Sequence, residues 1–262
     1  MFCLLACRET KHKQVPAKKV TKTQLSHAKK AEGYVPAPHV QIPIDTIYPA
    51  YILTAGVSHY DEVDRKYARH KWVGLFKANG HYYVAATNVA ITTAHDVILD
   101  EETQENTGWE VSPSVKDSTI LLISGLDYIK SGPVIPFKLK SQILMPGNAE
   151  HFSYQNIDYT LYATGKNMAT NGDLYNVANY KLYLKATING VAYNQQLVYI
   201  SGFDDAMVTV LFVGDIDGDG RPDLILDTSA HYNMERPTLY LSKPATGKNL
   251  LKVVGLHQYV GC

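Results

Sequence analysis

Val208-Thr209-Val210-Leu211-Phe212-Val213, then Gly214-Asp215-Ile216-Asp217-Gly218-Asp219-Gly220-Arg221-Pro222-Asp223, then Leu224-Ile225-Leu226: two apolar runs enclose an acidic loop. The runs are short and rich in β-branched and aromatic residues, which is how buried strands read, and glycine and proline break the chain between them. Counting Asp215 as position 1, aspartates stand at positions 1, 3, 5 and 9. Four carboxylates this close repel one another unless a cation lies between them. Hard cations are held by such oxygen-rich loops; calcium takes about 6–8 oxygens at roughly 2.3–2.6 Å.

The spacing assigns the ligands residue by residue. Asp215, Asp217 and Asp219 each offer a side-chain oxygen. Arg221, at position 7, offers its backbone carbonyl, so its charged side chain points away. Asp223 closes the sphere directly or through water, and Gly220 sits where the chain turns most sharply. Position 12 is Leu226 rather than the bidentate glutamate of an EF-hand, and strands flank the loop in place of helices. Asp-x-Asp-Gly-Asp-Gly-x-x-Asp-Leu between strands resembles the calcium loop of FG-GAP and VCBS-type repeats, found in integrin-like β-propellers and many bacterial secreted proteins. The resemblance covers about residues 211–228 and implies a bound calcium ion. A propeller repeats such a unit in ~4–8 blades, and this chain carries one such loop.

Outward from the loop, from about Ile42, short apolar runs alternate with Gly, Pro, Asn and Asp. Asn79-Gly80 predicts a tight hairpin between Trp72–Lys77 and His81–Ala85, and Asn189-Gly190 another between Tyr180–Lys185 and Gln196–Ile200. Gln155-Asn156 reads as a turn, and Thr119–Ile123 as a buried strand. Ser58–His70 is expected to form a short helix, capped by Ser58 with Asp61 and Glu62 in its first turn. The expected fold is mainly β, with antiparallel sheets in a sandwich, barrel or partial propeller, and a disordered N-terminal tether.

Composition narrows the class. Formal net charge is zero, so no overall field favours nucleic acid, and no nucleic-acid partner is expected. The 19 tyrosines against 6 phenylalanines suit strands with one wet face; a glycan-binding aromatic platform is the alternative use. At the N-terminus, Leu4-Leu5-Ala6-Cys7 resembles the lipobox of bacterial lipoproteins, whose cleavage leaves the cysteine lipidated. Residues 8–41 are polar and basic, with Lys11, Lys13, Lys18, Lys19, Lys22, Lys29 and Lys30. Such a segment buries too little apolar area to order itself and reads as a flexible tether. The expected organisation is therefore a lipobox-like remnant over 1–7, a tether over 8–41 and a β-rich domain over 42–262. With Cys7 lipidated and Cys3 removed, Cys262 is left unpaired.

Other candidate chemistry is sparse. Thr92-Thr93-Ala94-His95-Asp96 resembles the histidine segment of trypsin-like proteases, yet neither Gly-Asp-Ser-Gly nor Gly-x-Ser-x-Gly occurs to supply a nucleophile. Asp96, Asp100, Glu101, Glu102 and Glu105 read as a solvated acidic loop, with a second cation or a glycosidase-type pair as the sharper alternative. Asp205, Asp227 and His231 lie close to the aspartate loop along the chain and read as turn and strand-end residues, with an outer-shell role as the alternative. The sequence thus leads to an exported, lipid-anchored calcium-binding β protein of the bacterial cell envelope. It is expected to act as a non-catalytic binding or structural module, with a glycan or cell-surface protein as partner and membrane contact through the lipid anchor only. The competing reading is a secreted calcium-dependent hydrolase of polysaccharide or protein.

Overall fold

The computed structural model describes residues 38–42, 48–101, 106–168 and 176–260. Cys7, Cys262, the tether as far as residue 37, and Glu102 and Glu105 lie outside the described residues. In chain order the strands are β1 (Val40–Gln41), β2 (Tyr51–Leu53), β3 (Gly56–Ser58), β4 (Trp72–Ala78), β5 (His81–Thr87), β6 (Val89–Ala94) and β7 (Gly108–Pro113). Then follow β8 (Ser118–Ser124), β9 (Gly132–Val134), β10 (Ala149–Tyr154), β11 (Ile157–Asn167), β12 (Val177–Ile188) and β13 (Val191–Gly202). The last are β14 (Thr209–Gly214), β15 (Asp223–Asp227), β16 (Met234–Glu235), β17 (Pro237–Leu241), β18 (Lys252–Leu256) and β19 (Tyr259–Val260).

All strand pairings are antiparallel, and among the described residues no sheet closes on itself. A long sheet runs β1-β13-β12-β11-β10, a central sheet β14-β15-β17-β18, a second five-stranded sheet β2-β8-β4-β5-β9, and a small sheet β3-β7-β6; β16 and β19 form a separate ribbon. The mainly β, antiparallel expectation holds, and the closed barrel drops out of the three architectures.

Side-chain alternation explains the stacking. In β15, Leu224 and Leu226 pack with Leu161, Leu182, Leu184 and Val198 of the long sheet. Ile225, between them, packs with Leu75, Leu121 and Ile123 of the second five-stranded sheet. A strand buried on both faces has no polar face to show, which is why the runs on either side of the aspartate loop are almost continuously apolar. The next layer repeats the logic: Leu122 of β8 and Phe76 of β4 turn the other way, onto Val89, Ile91 and Val111 of the small sheet. Four sheets therefore stack in the order long, central, second five-stranded, small. Tyr180 and Tyr240 depart from the wet-face expectation: both are fully buried and donate instead to the carbonyls of Leu144 (3.1 Å) and Leu197 (2.9 Å).

The three turns read from sequence are two-residue hairpins, joining Ala78 to His81, Tyr154 to Ile157 and Ile188 to Val191. Both central residues have positive φ in each, as this turn type demands: Asn79 and Gly80, Gln155 and Asn156, Asn189 and Gly190. The helix expected over Ser58–His70 is corrected. Ser58 is buried in β3 opposite Trp109; the chain then makes a turn at Tyr60–Glu62, and only Arg65–Arg69 is helical, as a single 3₁₀ segment capped by Asp64. Pairing with a strand far along the chain outweighs the local cap. At the end of the segment read as tether, Val40 and Gln41 pair with Ile200 and Tyr199.

Candidate metal centre

β14 and β15 run in register up to Gly214 opposite Asp223, so the loop between them leaves and re-enters the most buried sheet of the molecule. That placement pulls the carboxylates inward. Asp223 is fully buried and Asp217 nearly so (3% exposed), while Asp215 is half-buried. Ligand oxygens of these three lie within 4.8 Å of one another.

Backbone N–H groups organise the cluster. Asp215 accepts from Gly218 (2.8 Å) and Asp219 (3.1 Å) on Oδ1, and from Gly220 (2.9 Å) on Oδ2. Asp217 accepts from the N–H groups of Asp219 (3.2 Å) and Lys243 (3.3 Å). Asp223 accepts from Ile216 (2.7 Å) and Asp217 (3.1 Å) on Oδ2, and from Ser242 (2.7 Å) on Oδ1. Gly220 has φ +84, the left-handed backbone that the sharp turn of the loop requires of glycine.

The other two residues expected as ligands stand slightly apart. The Oδ1 of Asp219 accepts from the Arg221 N–H (2.9 Å) and the Ser242 hydroxyl (2.8 Å), and Arg221 itself is exposed. Four further residues reach the site from elsewhere in the chain. Tyr154 donates its hydroxyl to Asp215 Oδ2 (3.2 Å); Ser242 and Lys243 follow β17; and Tyr128 lines, with Asp215 to Gly218 and Lys243, an open cleft of about 720 Å³. No local pattern in the sequence marks any of these four.

Electrostatics sets the cluster apart from an ordinary acidic turn. Burial, then the neighbouring Asp219 and Asp215 charges, push Asp217 up to about 6, with the backbone N–H bonds acting against them. Burial and the Asp217 charge hold Asp223 well above the usual carboxylate range. Burial and the charges of Asp217 and Asp223 push the Tyr128 phenol up to about 12. The Tyr128 hydroxyl is itself buried without a hydrogen-bond partner, and a buried donor left unmade costs about 1–3 kcal/mol. Buried carboxylates facing one another, with an unsatisfied hydroxyl beside them, form a cluster that can hold a metal ion. The donors are oxygens throughout, which suits a hard cation and leaves out the thiolate and imidazole ligands that mark zinc.

The remaining candidates separate from this centre. His95 Nδ1 lies 3.8 Å from Asp100, and neither residue lines the cleft beside the aspartate loop. Asp96 and Asp100 are buried rather than solvated, which corrects the reading for these two, while Glu101 is exposed as expected. Asp96 holds His59 Nδ1, and Asp100 accepts from the Thr107 hydroxyl (2.6 Å) and the N–H groups of Thr107 (2.9 Å) and Asp96 (2.8 Å). His231 pairs with Asp204 (2.9 Å), Asp205 sits in a turn at φ 49, and Asp227 accepts from Ser229 and Arg236, each at 2.9 Å. As for an aromatic platform, Tyr162 and Tyr183 stack on each other at 5.0 Å, with Lys185 over the Tyr162 ring.

Comparison with known proteins adds no identification: no family model, no curated protein and no solved structure matches this chain.

Proposed function

We propose that the loop from Asp215 to Asp223 binds calcium, and that the ion is structural. The observation that carries this reading is the mutual burial of Asp215, Asp217 and Asp223, with burial and carboxylate neighbours opposing the charge on Asp217 and Asp223. The three carboxylates would hold the ion, and the sequence spacing adds Asp219 and the Arg221 carbonyl. An ion there neutralises the cluster and braces the central sheet where the β10–β11 hairpin and the turn after β17 meet it. A ligand that binds only the folded chain stabilises it by RT ln(1 + [L]/Kd), about 2.7 kcal/mol at a hundredfold excess over Kd. Weak loop sites of this kind suit compartments where calcium is near millimolar, which agrees with export.

On this reading the chain is an exported protein of the bacterial cell envelope, anchored by lipid at Cys7, and a non-catalytic binding or structural module. The lipobox-like start, the basic tether and the strand-flanked calcium loop support it together. Calorimetric titration of the chelated full-length chain tests the ion: one calcium per chain is expected, and none after Asp217→Asn. Full-strength calcium binding by that variant removes the assignment. A glycan-array screen with and without calcium then tests the module's partner, and an unmodified Cys7 in the mass of the protein isolated from its cell envelope argues against the anchor.

A further inference from the structure

Val97-Ile98-Leu99, in the connection between β6 and β7, is the one place among the described residues where three consecutive large aliphatic side chains are exposed, at 72%, 49% and 52%. The turn that presents them is rigidly based. Asp96 Oδ1 accepts the N–H groups of Ile98 (3.0 Å) and Leu99 (3.2 Å), its Oδ2 holds His59, and the Asp100 N–H closes the turn on the Asp96 carbonyl (2.9 Å). Both aspartates flanking the tip are thereby turned inward, while Glu101, the residue after Asp100, is exposed. The same end of the small sheet bears Tyr60, 61% exposed, and Trp109, whose indole N–H donates to the Tyr60 carbonyl (3.2 Å). The Arg65 guanidinium lies 6.0 Å from the Trp109 ring.

An aliphatic knob with tyrosine, tryptophan and arginine at the same end of the small sheet matches the depth order of a membrane interface. Aliphatic groups enter the acyl boundary, and amphipathic rings sit at headgroup level. A convex tip needs a soft phase to receive it rather than a preformed slot. The choice of lipid as occupant also rests on the anchor proposed above. Thirty residues separate Cys7 from Pro38, and a chain of that length reaches at most about 110 Å, so an anchored Cys7 would keep the domain within reach of the bilayer. We propose that Val97-Ile98-Leu99 is a lipid-inserting tip that seats the folded domain on the membrane to which its N-terminus is tied.

The test uses the full chain carrying Cys7→Ser, so that no anchor contributes. It is sedimented with vesicles of phosphatidylcholine alone and of phosphatidylcholine mixed with phosphatidylglycerol, at low and high salt. Binding to the neutral vesicles, insensitive to salt, is expected. Adding Ile98→Ser and Leu99→Ser should weaken it by about tenfold per side chain, with an unchanged melting temperature. Equal binding with and without the two serines, or no binding to neutral vesicles at all, overturns the proposal. Binding confined to anionic vesicles and abolished by salt assigns the contact to Lys11 through Lys30 and overturns it too. A change of oligomeric state in light scattering without vesicle binding assigns the tip to contact between copies of the chain. Anchor failure shows elsewhere: unmodified Cys7 in the mass of the protein isolated from its cell envelope.

Discussion

Two acidic loops of this protein use the same local chemistry and reach opposite electrostatic outcomes. In the β6–β7 connection, Asp96 and Asp100 accept backbone N–H groups, and Asp96 also holds His59. Burial raises the Asp96 carboxyl, but the His59 hydrogen bond and the Ile98 and Leu99 N–H groups outweigh it, so Asp96 titrates below its ordinary value. In the β14–β15 connection, Asp217 and Asp223 also accept backbone N–H groups, yet burial and carboxylate neighbours dominate and both are raised. Hydrogen bonds to N–H groups therefore do not separate a finished loop from an unfinished one. A counter-charge does. The first loop meets an imidazole, His59, brought from the β3–β4 connection and raised in pKa, and the second has the electrostatics that the proposed calcium ion would relieve.

The largest effect is expected at Asp223. It is fully buried and receives three N–H groups, so Asp223→Ala should cost at least about 3 kcal/mol in urea unfolding, at about 1–3 kcal/mol per orphaned buried donor, and should abolish any calcium response. A loss below 1 kcal/mol would mean that the loop is not organised around this side chain.

Acidity separates the two loops next. A carboxyl raised on folding binds its proton more tightly in the folded chain, so its contribution is present at low pH and is lost as pH rises. With Asp217 moved from 3.8 to about 6, the chelated protein should lose stability between about pH 4 and 6, and added calcium should restore it over that window. The pair in the β6–β7 loop behaves otherwise. The lowered Asp96 contributes above its unfolded pKa and loses that contribution as pH falls through its folded value. Burial opposes the charge on His59, but Asp96 and Glu62 raise its pKa overall, so its contribution is complete below its unfolded pKa and fades as pH rises through the folded one. His59→Ala should remove this second dependence and leave the calcium response intact, as followed by thermal melts across pH.

The smallest effect is expected at Arg221. Its exposed side chain is not among the expected ligands, which use only its carbonyl, so Arg221→Ala should change stability by less than about 0.5 kcal/mol and leave the calcium isotherm unaltered. A lost isotherm would give the guanidinium a role that the spacing denies it.

What was legible in the sequence was local. The Asn79-Gly80, Gln155-Asn156 and Asn189-Gly190 turns set their hairpins because two adjacent residues supply the positive φ that closes them. The aspartate spacing marked Asp215, Asp217 and Asp223, which the fold gathers into one cluster. The unread part was non-local. Ser58 reads as a helix cap until Trp109 is known to lie opposite it. Asp96 reads as solvated until His59 arrives from an adjoining loop. Tyr128, Tyr154, Ser242 and Lys243 enclose the aspartate loop from separate segments, and only the stacking of the sheets brings them there.

On the proposed function, the buried aspartates of the β14–β15 loop take up a calcium ion from solution. Thermal unfolding of the chelated protein at neutral pH, repeated in millimolar calcium, tests it most directly. At about 2.7 kcal/mol of linkage and roughly 2–4 °C per kcal/mol for a domain of this size, the melting temperature should rise by about 5–11 °C. A melting temperature indifferent to both chelator and calcium would contradict it.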